Sequence, residues 1–239
     1  MLLSIVLPCY NEKENLKALF ERLDALNSSG ENLEIILVDN GSKDGSDVIF
    51  EAELSKRDRS VFKLCRVEKN IGYGFGILSG LRSAQGDVLA ITHADRQTDP
   101  MDVLKAFEIF TNNHNEMLLV KGFRKNRKIS EAVFSYGMGL LASLALGTRL
   151  TEVNAQPKLF SKQFFDAVEK DAPYDFSLDL YFLYHAKRKG NIADFPVYFA
   201  KRVAGEAKGG SGSTWKVRWK LIKRSFNYIF ELRGRMRGR

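Results

Sequence analysis

Between residues 2 and 122 short apolar runs alternate with amphipathic stretches, and this alternation leaves the chain few architectures. "LLSIVLP", "LEIILVD" (33–39), "VFKLCRV" (61–67), "DVLAIT" (87–92) and "MLLVKGF" each read as a strand. The segments between them have helical spacing. In 12–26, Leu16, Leu19, Phe20 and Leu23 form one apolar face, with Asn11 placed as N-cap and Glu14 three residues on. A helix from about Asp47 to Leu54 follows the turn "NGSKDGS", and one from about 74 to 84 ends at Gly86. Asp99 and Pro100, as N-cap and first helical residue, open a helix to about Asn112. Strands and helices in this order predict an α/β fold: a mostly parallel central sheet with helices on both faces.

Beyond residue 122 the pattern loosens. A basic segment, "KGFRKNRK", precedes an apolar helix over 131–147, and "TEVNAQPKLFS" reads as a strand broken at Pro157. Residues 177–189 read as a helix ended by Gly190, and "NIADFPVYFAKR" as a further strand. Composition makes 203–214 a flexible loop, and a helical tail follows. Two units are expected: one domain over 1–205, then a loop and basic amphipathic helix over 206–239. The start "MLLSIVLPCYNE" lacks a basic n-region and is broken by Pro8, so it does not read as a secretory signal. Cys9 and Cys65 lie in or beside apolar runs, which favours buried free thiols in a reducing compartment over a disulfide. No run of 18 apolar residues exists; "FSYGMGLLASLALG" (134–147) suits a buried or interfacial helix. The net charge is +8, from 37 Lys/Arg and 29 Asp/Glu. Residues 215–239 hold nine of those bases and one of those acids, so the tail carries the whole imbalance and residues 1–214 are neutral.

Open α/β sheets bind ligands at the carboxyl ends of their strands. Polar clusters stand at four successive strand ends: Pro8-Cys9-Tyr10-Asn11-Glu12, Asp39-Asn40-Gly41-Ser42, Asn70-Ile71-Gly72 and His93-Ala94-Asp95. Asn11 and Glu14 also suit a plain helix cap, and Asp39 also suits an anchor for the Asn40-Gly41 turn. "GYGFG" has the spacing G-x-G-x-G and follows the third strand, so it reads as a tight turn before a helix and not as a dinucleotide fingerprint. Asp95 follows a buried strand by a few residues, too early to cap the next helix, and an acid there has few structural reasons to exist.

The succession "SIVLPCYNEKENL", "EIILVDNGSKDGS", "NIGYGFGILSGLRSAQGDVLAITHADRQTDP" resembles the GT-A fold glycosyltransferases of family 2, in the branch that includes dolichyl-phosphate mannosyltransferase and the bacterial polyprenyl-phosphate sugar transferases. The resemblance covers about residues 2–205 and is strongest in 2–110. It implies that Pro8, Tyr10 and Glu12 belong to a first nucleotide-binding motif, that Asp39 contacts the nucleotide, and that Asn70 and Gly72 join the donor-binding set. Asn40 replaces the family's usual second Asp. Asp95 matches the second acid of the D-x-D metal motif and Gln97 the Gln after it, while His93 occupies the first acid's place. Mg²⁺ prefers oxygen ligands, so a His there implies weaker binding or a tilt from Mg²⁺ toward Mn²⁺. The resemblance also places Arg124, Lys158 and Arg202 as cations for the phosphates, with Lys208 a loose match in the acceptor loop; a solvated surface charge is the alternative for each.

Two acceptor chemistries fit. A polyprenyl phosphate is already ionised and attacks the anomeric carbon directly, with inversion. A sugar hydroxyl needs a carboxylate to take its proton, and Asp179 in "YDFSLDLYF" is the candidate, its alternative being a first-turn acid favoured by the helix dipole. In the tail Trp215, Trp219, Ile222, Phe226 and Ile229 recur at helical spacing, flanked by Lys216, Arg218, Lys220, Lys223 and Arg224. That pattern suits an interfacial helix on anionic lipid, or a helix packed on the catalytic domain. The expectation is an inverting hexosyltransferase that moves a sugar from a nucleotide-diphosphate donor to a polyprenyl-phosphate or other envelope-glycan acceptor. Asp95, Asp179 and Arg202 form its expected catalytic set, with a divalent cation, Mg²⁺ or Mn²⁺, at Asp95, Gln97 and His93. It would be cytoplasmic and peripheral at the inner membrane face; nucleic acid is not an expected partner, and a homo-oligomer is allowed. The rival is a non-catalytic nucleotide-sugar-binding or scaffold protein on the same fold, suggested by His93.

Overall fold

A computed structural model describes residues 1–126, 129–200 and 215–237, without the side chains of 129–135, 138, 215–222, 225, 236 and 237. Arg202, Lys208 and the loop 203–214 lie outside the described residues, as do the side chains of Trp215, Trp219 and Ile222.

The chain runs β1 (Leu3–Cys9), α1 (Lys13–Asn27), β2 (Leu33–Asp39), α2 (Ser46–Leu54), β3 (Phe62–Arg66), α3 (Tyr73–Ser83), β4 (Val88–Ile91), α4 (Asp102–Thr111) and β5 (Leu118–Lys125). Then come α5 (Ile129–Leu146), β6 (Lys158–Ser161), α6 (Lys162–Asp166), α7 (Leu178–Lys189), β7 (Asn191–Tyr198) and α8 (Trp215–Arg237). The seven strands form one sheet in the order β3-β2-β1-β4-β6-β5-β7. β6 lies antiparallel to both neighbours and every other pairing is parallel, so the mostly parallel α/β sheet is as expected.

Alternate side chains divide the interior between the two faces of the sheet. Ile5 and Leu7 pack with α1, α2 and α4. Val6, Ile36 and Val38 pack with α3, α5, α6, α7 and α8. β2 is buried along its whole length, which is why "LEIILVD" reads as a continuous apolar run.

Several boundaries differ from expectation for local reasons. Asn11 does not cap α1: it holds a left-handed φ of 54°, and its side chain accepts from the Lys43 N–H at 2.8 Å. The first donor of α1, Lys13 N–H, instead finds Asp44 Oδ2 at 3.0 Å, a partner 31 residues away. α3 stops at Ser83, and Gly86 serves close packing, since a Cβ there would lie 2.5 Å from Ser4 Oγ. α4 starts at Asp102; the Asp99 carboxylate accepts from Met101 N–H in the preceding turn and is drawn to Arg22 at 2.8 and 2.5 Å. Residues 151–157 form turns, not strand, and β6 begins only after the cis Gln156–Pro157 bond. α6 was not expected; Ser161 caps it, accepting from Phe164 N–H at 2.9 Å.

The tail helix adds to the core. Tyr228, Ile229 and Leu232 are buried in the cluster that holds α3 and α7, while Phe226 is 39% and Phe230 50% exposed. The apolar stripe read from the tail therefore divides, with Ile229 inward and Phe226 outward. On α5, Ala142 and Leu146 face the core, but Tyr136, Leu140, Leu141 and Leu144 are exposed. No helix among the described residues is long and apolar enough to cross a membrane. Cys9 is a buried free thiol and Cys65 a half-buried one.

Candidate active site at the carboxyl ends of the parallel strands

β1, β2 and β3 end level with one another, Cys9 opposite Asp39 and Asp39 opposite Arg66. The segments that leave them are hydrogen-bonded into one rim. Asn40 N–H donates to Cys9 O at 2.9 Å, and Asn40 Nδ2 donates to Gly72 O at 3.1 Å. Gly72 N–H donates to Asn70 Oδ1 at 3.0 Å, and Asn11 N–H to Ser42 Oγ at 3.1 Å. Asp39 Oδ1 accepts from Ser42 N–H at 2.9 Å, so it does anchor its turn, beside any role toward a ligand. Gly41 and Gly72 have φ of 74° and 154°; a Cβ would meet Asn70 N at 2.6 Å and Tyr174 O at 2.0 Å respectively, so only glycine permits these close approaches. Glu12 is nearly buried and accepts from Asn15 Nδ2 at 2.6 Å, while Pro8 and Tyr10 are half-buried on the same rim. Burial, then the Glu12 and Asp39 carboxylates, pushes the Cys9 thiol up, so it stays protonated.

Beyond β4 the chain turns through Asp95, whose Oδ1 accepts from Gln97 N–H at 3.1 Å. Gln97 ties this turn to the segment after β7: its carbonyl accepts from Ala200 N–H at 2.8 Å, and its Nε2 reaches Ala200 O at 3.4 Å. Burial pulls the His93 pKa down; Asp95 and Asp179 oppose the shift, and Lys158 and Arg124 reinforce it. The imidazole is therefore neutral and keeps a nitrogen lone pair. Among the described residues no three His, Cys, Asp or Glu side chains converge on a metal-sized gap. One carboxylate, one amide oxygen and one neutral imidazole fit a divalent ion that takes most of its oxygens from a bound diphosphate, and do not amount to a cage that holds an ion unaided.

The floor beside His93 is a buried polar cluster. Lys158 has no exposed surface; its Nζ lies 2.5 Å from Asp179 Oδ1 and donates to Ala155 O at 2.9 Å. Gln156 Nε2 donates to the same Asp179 oxygen at 3.1 Å. The Tyr73 hydroxyl joins Gln156 and Asp179, and its ring stacks on Phe176 at 4.6 Å. Burial, with the Asp179 charge second, holds the Tyr73 hydroxyl well above its ordinary pKa. Burial lowers the Lys158 pKa, and Asp179 opposes it. Arg124, at the end of β5, is 11% exposed, pairs with Glu152 at 2.7 Å and lies over the Phe199 ring at 5.4 Å. The solvated-surface alternative thus fails for both: Lys158 is held between Ile91 of β4 and Lys121 of β5, and the Arg124 guanidinium is covered beside Glu152. Asp179 sits in the first turn of α7 as expected, but its carboxylate is buried and engaged. Tyr73 and Gln156 were missed as site residues. Each lies inside a quoted segment, "GYGFG" and "TEVNAQPKLFS", and only the fold brings those segments together.

Comparison with known proteins identifies the family. The model of glycosyl transferase family 2 matches residues 4–171. A dolichol-phosphate mannosyltransferase from Pyrococcus furiosus is 29% identical over 216 residues, which cover 87% of this chain and 59% of that protein. An undecaprenyl-phosphate 4-deoxy-4-formamido-L-arabinose transferase from Aeromonas hydrophila subsp. hydrophila is 28% identical over 171 residues, 70% of this chain and 51% of that one. The chain therefore spans little more than half the length of these relatives. Among solved structures, glucosyl-3-phosphoglycerate synthase from Mycobacterium tuberculosis, in complex with Mn²⁺, uridine-diphosphate and phosphoglyceric acid, matches with a TM-score of 0.72 at 17% identity, over 97% of this chain and 78% of that one. That likeness speaks for the GT-A fold alone. With the family match spanning the rim, the Asp95 turn and the Lys158 strand, the chain belongs to glycosyl transferase family 2.

Proposed function

We propose that this chain is an inverting glycosyltransferase that passes a sugar from a nucleotide-diphosphate donor to a polyprenyl phosphate. The observation that carries the proposal is the Asp179 carboxylate, buried and bound by Lys158 and Gln156. A base for a hydroxyl acceptor must reach the acceptor proton. Asp179 Oδ1 is instead turned inward, where it accepts from Lys158 at 2.5 Å and Gln156 at 3.1 Å. An ionised phosphate needs no base, and the names of the polyprenyl-phosphate relatives support the same acceptor class.

In this reading Pro8, Tyr10, Glu12, Asp39, Asn70 and Gly72 seat the nucleotide, and Arg124 and Lys158 place positive charge toward the diphosphate. Preorganised charge of this kind stabilises the departing nucleoside diphosphate, because it needs no reorganisation as the bond breaks. Asp95, Gln97 and His93 would hold a divalent cation, which neutralises diphosphate charge when bound; Mn²⁺ accompanies uridine-diphosphate in the structural relative. The acceptor phosphate attacks the anomeric carbon on the face opposite the leaving group, so the configuration inverts. Arg202 would contact the acceptor phosphate. Asp179 acts as a positioning residue for Lys158. The exposed apolar residues of α5 and α8, with Lys223, Arg224 and Arg233 on α8, support peripheral membrane association, which suits a lipid-borne acceptor.

A panel of nucleotide sugars, titrated with Mg²⁺ or Mn²⁺ while the thermal midpoint is read, tests the donor site. One donor is expected to stabilise the wild type with Mn²⁺, with at least tenfold weaker affinity in Asp95→Asn. A wild type that no nucleotide sugar stabilises with either ion removes the proposal.

A further inference from the structure

We propose that a second, cationic cavity farther along α7 is a phosphate-binding site, separate from the donor site and independent of the reading given to it. α7 carries Asp179 into the donor site with its first turn. Leu183 and Lys187 lie one and two turns on, and at about 1.5 Å per residue Lys187 is roughly 12 Å from Asp179 along the axis. There a cavity of about 250 Å³ opens between α7, the loop after α5, and strands β5 and β7. Its polar lining is Lys121, Arg149, Thr151, Lys187 and a single acid, Asp194; Leu183 and Ile192 form an apolar wall.

Lys121 is the unusual member. It is 1% exposed, yet two strand positions away on the same face stands Leu119, an ordinary core residue. An aliphatic side chain would fill the Lys121 position without the cost of burying an ammonium. Its Nζ lies 2.7 Å from Asp194 Oδ1, but not in hydrogen-bonding alignment, so a group with three donors has no well-directed acceptor. Asp194 is half exposed and must offset three cations. The neighbouring Lys158 stands on the same face of the sheet, but its ammonium is engaged by Asp179 and Ala155 O, whereas that of Lys121 turns to Asp194, so the two buried lysines of adjacent strands have different partners.

Two ammonium groups, a guanidinium fork and a hydroxyl around one small cavity suit a tetrahedral oxyanion with several acceptor oxygens. The volume lies below the usual range of small-molecule pockets, about 300–1,000 Å³. It fits the phosphate of an ester better than a whole nucleotide. Two sources share this chemistry: a soluble phosphate ester, and a lipid phosphomonoester, since Arg149 lies three residues past the end of α5 with its exposed Leu140 and Leu144.

The test compares the full chain with Arg149→Ala/Lys187→Ala, both exposed positions outside the donor site. In one arm inorganic phosphate is titrated against chloride at matched ionic strength, with the thermal midpoint as readout. In the other, co-sedimentation is measured with phosphatidylcholine vesicles carrying phosphatidic acid or phosphatidylglycerol. The proposal expects saturable phosphate stabilisation of the wild type, or a preference for phosphatidic acid, weakened at least tenfold in the double variant while nucleotide-sugar stabilisation is unchanged. Response in the first arm identifies a soluble ligand, and response in the second alone a lipid one. A wild type that never exceeds its chloride or phosphatidylglycerol control overturns the site, and so does a double variant that keeps the full response.

Discussion

Lys158 and Asp179 form a buried ion pair, and such pairs are sensitive to losing one partner. Lys158→Met leaves a carboxylate in the interior without its cation, so a loss of about 3–5 kcal/mol is expected in denaturant unfolding. Adding Asp179→Asn should recover part of that loss, because residues in contact are not additive; a double variant as unstable as the sum of the singles contradicts the pairing. The position of Lys158 was legible in the sequence as a match to a family segment, but its burial was not. Burial follows from the register of β6 between β4 and β5, set by pairings far apart in the chain. Asn11 was misjudged for a similar reason, since Asp44 across the loop supplies the donor partner that a local cap would have provided. His93 was legible as the departure from D-x-D, and its neutral state follows from its surroundings. His93→Asp restores an oxygen ligand and is expected to shift donor binding toward Mg²⁺ relative to Mn²⁺. Unchanged ion preference in donor titrations would argue that residue 93 does not touch the cation.

At the scale of elements, the parallel half of the sheet was legible because its strands are apolar on both faces and its helices on one. The second half was less so. A four-residue strand, turns over 151–157 and the five-residue α6 are too short for periodicity to register. Glu34 shows how the opposite edge of the sheet is held. Its carboxylate accepts from the Ser4 hydroxyl, the Lys63 ammonium and Gln85 N–H, tying β1, β2 and β3 to the turn before β4. Burial alone would raise its pKa, but these hydrogen bonds together hold it below the ordinary value. A depressed folded-state pKa stabilises the protein above the unfolded-state pKa, and that stability is lost as pH falls through the folded-state value. Glu34→Gln should therefore cost about 1.5–3 kcal/mol at neutral pH. The deficit should shrink once the pH drops below about 4. A deficit independent of pH in paired unfolding curves would show that the charge plays no part.

For the whole molecule, the tail was read as a basic amphipathic helix, interfacial or packed on the catalytic domain; its charge was legible, and which of its residues dock was not. Which face of a helix docks depends on the surface it meets, and here Tyr228, Ile229 and Leu232 complete the core over α3 and α7. Arg224 pairs with Asp175, next to Tyr174, whose carbonyl accepts from Phe75 N–H at 3.0 Å, so α8 braces the segment that supports the start of α3. Deleting 215–239 would strip the core as well as any membrane contact. Point changes separate the two: Leu140→Ser, Leu144→Ser and Phe230→Ser alter exposed positions and are expected to reduce binding to anionic vesicles without changing donor affinity. Equal vesicle binding by the triple variant would remove that face from the membrane contact. Whether the acceptor needs a base is read most directly from the transfer rate with Mn²⁺ to polyprenyl phosphate and to a hydroxyl acceptor, for wild type and Asp95→Asn. The wild type is expected to transfer to the phosphate alone, with inversion, and the variant to lose about 10²–10³ in rate. Transfer to the hydroxyl acceptor in preference, or an Asp95→Asn rate equal to wild type, contradicts the proposed function.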